Sequence, residues 1–461
     1  MIKVPKISIY ITNRNYGKYI DRAIKSVLTQ TFKEYELIIV DDASDDNSLK
    51  IIKKYRNKRL CQLILNRTKK GLIKSSNIAI KAARGDYVIR LDADDYLENN
   101  ALNILYDKIK NDPNVGLVYS DYFLIDEKDN LISFEKQIIS KNITSIDYKP
   151  ILAACCLIRK SALFSVNLYD ERFNRQDGYD IWFKLIKKFK FAHVPLPLFY
   201  YRRHNINLTK NKIKLYKTRT KIISKFARQK ERLTNYKVNC VIPVRGQMTD
   251  PFCNSLVKIN NKPLIFYTID EALKVKKFDK IIISTGDKKL IQTIKNKYAN
   301  RLYYHLRMKK NQSYQNVSFK DAILEAIKKF DKSGVDILSI LNFEYPFRKF
   351  FYIEQALSSL IVNSSDAVIG TYADSNNYYK YSDKGIKLIS NERNNKLRLE
   401  KKIVFKEAGG FSIYNYSSYL NNKTSKITNV IIDKKHSFAI FNNDDIFVAN
   451  QLIKKINLWI Y

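Results

Sequence analysis

The stretch Tyr87–Asp95, YVIRLDADD, joins a strand-like run to the carboxylates Asp92, Asp94 and Asp95. This pattern predicts a buried strand that ends abruptly at a charged edge. In α/β proteins, ligands bind in the crevice at the carboxyl ends of strands. Carboxylates at alternate positions can share Mg²⁺ or Mn²⁺, and the cation can then neutralise a diphosphate. A solvated acidic turn is the alternative that this stretch, taken alone, leaves open.

A second apolar run ends in the same way. Tyr35 to Val40 is followed by Asp41 and Asp42, and Ile7 to Thr12 predicts a strand before it. Short apolar runs alternate with helical patterns through this region, which predicts an α/β fold with a parallel, nucleotide-binding type of sheet. Two strands that both end in acids at one sheet edge favour a binding site over a solvated turn.

The length, composition and net charge of the chain limit the class of protein to which it can belong. At 461 residues and 45% hydrophobic content, the chain predicts two globular domains rather than one core or a disordered protein. The formal net charge of +38 raises the possibility of a nucleic-acid partner. Lysine is spread along the whole chain, however, and this pattern is also typical of a general compositional bias. Nucleic acid is therefore not expected to be the principal partner.

The cysteines and the chain start bear on the compartment. The five cysteines show no metal-ligand spacing, and most lie in apolar surroundings, which favours reduced core thiols in a cytoplasmic protein. No apolar run reaches the roughly 18 residues that span a bilayer, and the start lacks the pattern of a secretory signal. A basic surface could still rest on the inner face of an anionic membrane.

The motifs ITNRNYGKYIDRAIKSVLTQTFKEYELIIVDDASDD and GLIKSSNIAIKAARGDYVIRLDADD together resemble the family 2 glycosyltransferases of GT-A fold, over roughly the first 205 residues. The resemblance implies transfer of a sugar from a nucleotide-sugar donor. It implies that Asp41 contacts the nucleotide base, Asp92 the ribose or sugar, and Asp94 the metal that bridges the diphosphate. Thr12 and Asn15 would line the nucleotide pocket.

Two later segments complete this resemblance. RQDGYDIWFKL matches the acidic motif before a Trp, but an adjacent Glu-Asp pair is usual there, so the catalytic base is Asp177 or, less favoured, Asp180. A carboxylate near the sugar can accept the proton of an attacking hydroxyl, and Asp180 could instead cap the first helical turn. In PLPLFYYRRHNINLT, the resemblance makes His204 a metal or phosphate contact and Arg202 or Arg203 a phosphate clamp.

Residues 206–236 form a connector that is dense in Lys and Arg. Its apolar residues have the spacing of an amphipathic helix. A linker helix between domains, a membrane-surface helix that brings the enzyme to a lipid-linked acceptor, and a nucleic-acid contact all remain open. Residues 1–205 and 237–461 are the expected domains on either side.

A second α/β pattern begins at Val238, and Ser437 to Phe441 is predicted to be its last strand. VIPVRGQMTDPFCNSLVKINNKPLIFYTIDEALKV, followed by DKIIISTGD, resembles the cytidylyltransferases that make CMP-activated acidic sugars. The resemblance implies a nucleotide site at Arg245, Gly246, Lys258, Arg348 and Asp445. The Ser-Lys-Gly element expected after Gly246 is absent, and Phe441 replaces one of two expected metal-binding acids. We therefore expect nucleotidyl transfer to be lost or altered.

The sequence thus predicts two nucleotide-binding-type α/β/α domains joined by a basic helical connector. The predicted function is an inverting, Mn²⁺- or Mg²⁺-dependent glycosyltransferase that acts on a surface-glycan or lipid-linked acceptor. Two alternatives stay open: a bifunctional enzyme that also makes a CMP-activated acidic sugar, and a noncatalytic glycan- or nucleotide-binding protein. The polar segment Tyr122 to Ser145 is expected to form a loop or hairpin on the acceptor side.

Overall fold

The computed structural model describes residues 4–58, 60–137, 154–204, 212–229, 236–245, 255–307, 319–374, 376, 378–382, 385–388 and 404–457. The described residues up to Arg219 form one compact unit, and those from Thr220 onward form a second. Each unit has its own β-sheet covered by helices, so the predicted α/β fold class is confirmed. The domain boundaries at residues 205 and 237 stay predictions.

The described part of the first unit contains nine strands and six helices up to Arg202. In chain order its elements are β1 (Ile7–Asn13), α1 (Ile20–Leu28), β2 (Tyr35–Asp41), α2 (Ser48–Lys53), β3 (Cys61–Leu65), α3 (Leu72–Ala82), β4 (Tyr87–Asp92), β5 (Tyr96–Leu97), α4 (Ala101–Ile109), β6 (Val115–Ile125), β7 (Leu131–Glu135), β8 (Leu157–Arg159), α5 (Lys160–Phe164), α6 (Asp177–Leu185) and β9 (Lys190–Arg202).

The first sheet has the order β3-β2-β1-β4-β8-β6-β9-β5, with β7 added to β6. Strands β1, β2, β3 and β4 run parallel. Every residue of β1 and β2 is buried, as expected for parallel strands covered on both faces. Apolar residues of α1, α2 and α4 share one core cluster with alternate residues of these strands, and α3 contacts β1 and β2 outside that cluster.

The polar segment after β6 forms the expected hairpin in its described part. Strand β6 continues to Ile125, the chain turns through residues 126–130, and β7 pairs antiparallel with β6. Residues 138–153, which include the remainder of the expected acceptor-side segment, lie outside the described part of the chain.

Helix α7 (Lys212–Gln229) occupies most of the basic connector. The division between the two compact units falls inside it, after Arg219. Its apolar residues Ile222, Ile223 and Phe226 are buried, and Thr220 donates a hydrogen bond of 3.0 Å to the carbonyl of Phe351. An apolar face that is already packed inside the protein favours the linker-helix interpretation over insertion into a membrane surface.

The second unit repeats the α/β plan with different connections. Its elements are β10 (Val238–Val244), β11 (Lys258–Ile259), β12 (Lys262–Pro263), α8 (Leu264–Ala272), β13 (Lys280–Thr285), α9 (Lys288–Tyr298), β14 (Tyr303–Leu306), α10 (Phe319–Phe330), β15 (Ile337–Leu341), α11 (Phe350–Asn363), β16 (Ala367–Asp374), β17 (Tyr379–Ser382), β18 (Gly385–Leu388), β19 (Val404–Asn415), α12 (Tyr416–Leu420), β20 (Ile427–Ile431) and α13 (Asn443–Asn457).

The second sheet has the order β14-β13-β10-β15-β19-β16-β20. Strands β10, β13, β14 and β15 are parallel, and β19 runs antiparallel to β15 and β16. Helix α10 packs its buried face on β10, β13 and β15. The carboxyl ends of the parallel strands therefore define one edge, as they do in the first sheet.

The strand predicted at Ser437 to Phe441 is wrong. Residues 434–437 form a 3₁₀ turn, and the Asp433 carboxylate caps it by accepting the N–H of Lys435. Phe438 and the residues after it lie outside any strand, and Phe441 is 62% exposed. A local side-chain cap offers the backbone an alternative to a sheet ladder, and the apolar letters of this segment gave no sign of it.

The cysteine prediction agrees with the described residues. Cys155, Cys156 and Cys240 are buried and Cys61 is half-buried, all as reduced thiols, and burial raises the pKa of each. Cys253 lies outside the described residues. No helix in the described ranges combines the length and the apolarity needed to span a bilayer.

Candidate active site

Three parallel strands of the first unit end together in polar residues. Thr12 of β1 lies opposite Asp92 of β4, and Asn13 lies opposite Asp41 of β2. The sheet register therefore brings acids that are about 50 positions apart in the chain to the ends of the two strands that flank β1. This edge is the crevice in which α/β sheets bind ligands.

Asp41 and Asp42 are both buried but serve different neighbours. Asp41 accepts hydrogen bonds from the Asn13 amide (2.8 Å) and from the hydroxyl and N–H of Ser44. Asp42 accepts the backbone N–H groups of Lys70 (2.7 Å) and Gly71 (2.8 Å), and the amide of Asn66.

The bonds to Asp42 are strong enough to outweigh its burial. Burial opposes ionisation, yet the N–H donors hold the pKa of the Asp42 carboxyl below its ordinary value. Asp42 thus fastens the end of β2 to the loop before α3, and Asp41 is the member of the pair that lies in register with β1. The sequence resemblance named Asp41 alone of these two acids as a donor contact, and it gave no role to Asp42.

The turn after β1 is held by side-chain hydrogen bonds, and a hydroxyl beside it has none within the described part of the chain. Asn15 has φ 60°, a left-handed conformation that Asn tolerates. Its amide bonds to the carboxylate of Asp45 (2.6 Å), and its side-chain oxygen accepts the N–H of Asp45. The Thr12 hydroxyl is buried and has no hydrogen-bond partner among the described residues, so it could donate to a bound molecule.

The acidic turn, residues 92–95, contains carboxyls in three different environments. Asp92 pairs with the buried Arg90 guanidinium at 2.9 Å and keeps 27% of its side chain exposed. Asp95 is fully buried and accepts the backbone N–H of Arg202 at 2.9 Å. Burial, with the charges of Asp94 and Asp92, raises the pKa of Asp95 well above its ordinary value. Of Asp92 and Asp95, Asp95 is therefore held in the interior, while Asp92 is the one that solvent reaches.

Asp94 pairs with His204, as the sequence resemblance implied for a shared site. The His204 Nε2 lies 2.8 Å from Asp94 Oδ2 although 110 residues separate them. The imidazole stacks on Tyr19 with ring centroids 5.2 Å apart and meets the edge of Tyr16. Burial, followed by the charge of Asp94, raises the pKa of the Tyr16 hydroxyl, so this tyrosine is neutral at pH 7.

The donor set at this pair fits a divalent cation that also binds phosphate. No group of three or more His, Cys, Asp or Glu side chains in the described ranges is arranged to hold a metal by itself. Mg²⁺ and related cations in nucleotide sites are commonly held by one or two protein ligands, with phosphate oxygens and water completing the shell. A carboxylate and an imidazole at 2.8 Å match that kind of site.

Arg202 and Arg203 point to different surroundings. The Arg202 side chain is 2% exposed and donates from Nε to the carbonyl of Asp94 at 2.9 Å. Its Nη1 donates to the carbonyl of Asp126 (3.2 Å), and Nη2 pairs with Asp129. Arg203 is exposed. Burial and internal bonding of Arg202 favour Arg203 over Arg202 as the predicted phosphate contact.

The two candidate bases are not equivalent. Helix α6 begins at Asp177, whose side chain lies outside the described part of the structure. Asp180 is 1% exposed, pairs with Lys184 at 2.7 Å and accepts the N–H of Asp170. The suggested first-turn cap at Asp180 is therefore wrong, because its carboxylate forms a buried ion pair. Its burial favours Asp177 as the base, and the convergence of Asp177 with Asp94 stays a prediction.

A histidine–carboxylate pair on β6 and β9 escaped sequence reasoning. His193 Nε2 lies 2.8 Å from the buried Asp121 carboxylate, and the ring stacks on Tyr119. Gln137, which leads into the undescribed segment 138–153, donates its N–H to the same carboxylate. Asp121 lies inside β6, and no local signal in the sequence links it to a residue 72 positions away.

In the second unit, cations collect at the strand ends. Arg245 directly follows β10 and is exposed, and Gly246 lies outside the described residues. Burial, followed by the charge of Arg245, lowers the pKa of Arg307, which was not predicted as a site residue. Arg307 also donates to the Ser284 carbonyl at 2.9 Å. Lys258 is exposed on β11.

Arg348 and Asp445 have structural partners instead. The Arg348 side chain is fully buried and donates to the carbonyls of Asn342, Gly409 and Gly410 and to the Thr268 hydroxyl. Burial lowers its pKa to about 10. Asp445 accepts the N–H groups of Phe441 and Asn442 at the start of α13. These contacts argue against the predicted nucleotide contact at Arg348.

Comparison with known proteins assigns the two halves to different families. The family model "Glycosyl transferase family 2" matches residues 8–171, and the model "Cytidylyltransferase" matches residues 254–424. A chondroitin synthase of Escherichia coli is 32% identical over 198 residues, which cover 42% of this chain and 28% of that protein. An uncharacterized glycosyltransferase of Methanocaldococcus jannaschii is 30% identical over 220 residues, which cover 46% of this chain and 76% of that protein.

Among solved structures, the S. aureus TarS 1–349 fragment in complex with UDP-GlcNAc aligns with a TM-score of 0.39 and 19% identity, over 48% of this chain and 66% of that one. The chain spans only about a quarter of the length of the chondroitin synthases it matches. It belongs to glycosyl transferase family 2 through its first half and carries a cytidylyltransferase-type domain in its second half.

Proposed function

We propose that the first unit transfers a sugar from a nucleotide-sugar donor to a glycan acceptor at the edge where β1, β2 and β4 end. The observation that carries this proposal is the register that sets Asp41 and Asp92 at the ends of β2 and β4, on either side of β1, with Asp94, the partner of His204, in the turn after β4. Family membership supports the reaction class, and sugar polymers are the products named for the chondroitin synthase relatives.

Each part of the edge has a proposed role toward the donor. Asp41, Thr12 and Asn15 bind the nucleoside, and Asp92 binds the ribose or the sugar. Asp94 and His204 hold a divalent cation, Mn²⁺ or Mg²⁺, which when bound neutralises the charge of the diphosphate. Arg203 is exposed beside His204 and supplies a guanidinium that matches a phosphate oxygen pair.

The proposed transfer inverts the anomeric centre. An acceptor hydroxyl attacks the anomeric carbon from the face opposite the diphosphate, the new glycosidic bond forms, and the bond to the diphosphate breaks. Asp177 accepts the hydroxyl proton, and the nucleoside diphosphate leaves with the bonding electrons. The position of Asp177 at the start of α6 and the buried ion pair of Asp180 support the choice of Asp177.

The test is turnover with a panel of nucleotide sugars and Mn²⁺, with release of the nucleoside diphosphate and the mass of any product as readouts. Asp94→Asn should reduce the rate by about a hundredfold, since loss of a group that only orients a metal ligand already costs about 10–100-fold. Asp86→Asn is the matched control, because Asp86 lies just before β4, the strand that leads to Asp94, and its side chain is 70% exposed. No hydrolysis or transfer with any donor would overturn the proposal.

For the second unit we propose a fold that has lost or altered nucleotidyl transfer. Arg245 and Arg307 remain at the strand ends, but Arg348 is bonded into the core and Asp445 caps a helix. Loss of a carboxylate partner at position 441 weakens a cation site, because the remaining ligands offset less of its dehydration. Pyrophosphate release from CTP and a nonulosonic acid by the full chain would contradict this and support a bifunctional enzyme.

The acceptor is proposed to be a surface glycan or its lipid-linked precursor. The glycan class rests on the chondroitin synthase relatives, and the lipid link on the basic connector. Binding of the chain to vesicles with and without anionic lipid tests peripheral membrane contact. Equal binding of the chain to both kinds of vesicle at physiological salt would contradict a peripheral membrane contact through the basic connector.

A further inference from the structure

Arg202 connects three segments of the first unit that are distant in sequence. Its backbone N–H donates to the Asp95 carboxylate at 2.9 Å, and its Nε donates to the Asp94 carbonyl at 2.9 Å. On its other side the guanidinium reaches the carbonyl of Asp126 and the carboxylate of Asp129. The same strand end carries His204 two residues later.

The segment on the far side, residues 126–130, is the β6–β7 turn. Asp126 shapes it by accepting the N–H groups of Lys128 and Asn130. Helix α1 and its start fasten the turn from outside: Lys18 pairs with Glu127 at 2.8 Å, and Arg22 pairs with Asp129. These contacts hold the β6–β7 turn against α1. Arg202 links this turn directly to the acidic turn, residues 92–95.

We propose that Arg202 is a positioning residue, a brace that holds the Asp94 main chain and His204 in the arrangement that binds the cation. This inference rests on the proposed function, because it presumes that Asp94 and His204 are cation ligands. A planar guanidinium with five donors can serve groups in several directions at once, and a lysine ammonium cannot reproduce that fork. Only 2% of the Arg202 side chain is exposed, so its contacts are with the protein rather than with solvent.

The brace and the sequence-derived phosphate clamp predict different behaviour. If Arg202 braces the ligands, its replacement weakens cation binding, and replacement of Asp129 has the same effect. If Arg202 binds phosphate directly, its replacement weakens nucleotide binding even without metal. Replacement of Asp129 then leaves nucleotide binding unchanged. Partners that orient metal ligands typically change metal affinity by about 10–100-fold when they are removed.

The experiment uses the full chain and measures Mn²⁺ binding from the EPR signal of free Mn²⁺, with UDP as the nucleotide probe. Arg202→Lys should raise the Mn²⁺ dissociation constant about tenfold, and Asp129→Asn should raise it in the same direction. The double variant should be little worse than Arg202→Lys alone, because both changes remove one shared link. Asp129 is 34% exposed on its side chain, so Asp129→Asn carries the test if Arg202→Lys fails to fold.

Arg159→Lys is the matched control. Arg159 also donates to backbone carbonyls, at Val115, Ile109 and Asp112, and packs on the Tyr87 ring, without contact to the acidic turn. It should leave Mn²⁺ affinity unchanged. Unchanged Mn²⁺ affinity in both Arg202→Lys and Asp129→Asn, or weakened UDP binding in EDTA for Arg202→Lys alone, would overturn the brace. Absence of Mn²⁺ uptake by the unsubstituted chain would instead overturn the proposed cation site itself.

Discussion

Replacing Arg348 by lysine tests whether this arginine belongs to the core of the second unit or to a nucleotide site. Its Nη1 donates to the carbonyls of Asn342 (3.1 Å), Gly409 (3.0 Å) and Gly410 (2.5 Å), and its Nη2 donates to the Thr268 hydroxyl (2.9 Å). A lysine ammonium keeps the charge but lacks the planar, two-nitrogen fork of the guanidinium, so it reaches fewer of these acceptors.

The expected loss follows from the number of bonds that lysine cannot remake. If two of the four are lost, at about 1.5–3 kcal/mol for each hydrogen bond to a charged group, the second unit loses about 4 kcal/mol of unfolding free energy. With a urea dependence of about 2.5 kcal/mol per M, the midpoint falls by about 1.5 M. Hydrogen exchange of peptides from β15 and β19, measured along a urea series, reports this unit separately.

Arg245→Lys provides the control, because Arg245 is exposed at the end of β10 and should change stability by less than about 0.5 kcal/mol. CTP binding is measured on both variants. Unchanged stability in Arg348→Lys together with lost CTP binding would refute the structural role and restore Arg348 as a nucleotide contact.

Three further changes separate structural from functional acids. Asp180→Asn should cost the first unit about 3 kcal/mol in urea unfolding, because it leaves Lys184 without its buried carboxylate; intact stability with lost transfer would identify Asp180 as the base. Asp42→Asn should cost about 2 kcal/mol by the same measurement, since an amide cannot accept all three N–H donors, and an unchanged midpoint would contradict this. Burial opposes ionisation of Asp331, but bonds from Lys237 and Lys280 hold its pKa below the ordinary value. In the acid range the unfolded chain therefore binds more protons than the folded chain. The stability that the ionised Asp331 contributes is present above about pH 4 and is lost as pH falls through the lower folded pKa. Asp331→Asn should make unfolding of the second unit less pH-dependent between about pH 5 and pH 2, and an unaltered acid profile would count against the ion pair.

Hydrophobic runs and their polar ends were sufficient to predict the framework of both units. The runs before Asp41 and Asp92 form parallel strands, and sheet register places their ends on either side of β1. Period and run length report burial directly, which explains why β1 and β2 lie within one residue of the strands predicted at Ile7 to Thr12 and Tyr35 to Val40. The 3₁₀ turn after Asp433 was missed because a side-chain cap, rather than hydrophobicity, decided the conformation.

The charged residues were harder to place, because a sequence does not distinguish a buried guanidinium from an exposed one. Arg202 and Arg203 are adjacent, yet only Arg202 is buried among carbonyls and a carboxylate. Arg348 resembled a nucleotide contact because its neighbours matched a motif, while its actual partners lie up to 80 residues away. Such long-range partners exist only in the folded chain.

The most direct test of the account is the environment of Mn²⁺ bound to the full chain in the presence of UDP, measured by pulsed EPR. A cation held by Asp94 and His204 together with a diphosphate should show both nitrogen and phosphorus couplings. His204→Gln should remove the nitrogen coupling, and Asp94→Asn should abolish Mn²⁺ uptake. Mn²⁺ uptake that survives Asp94→Asn, or a nitrogen coupling that survives His204→Gln, would contradict the claim that these two residues form the cation site.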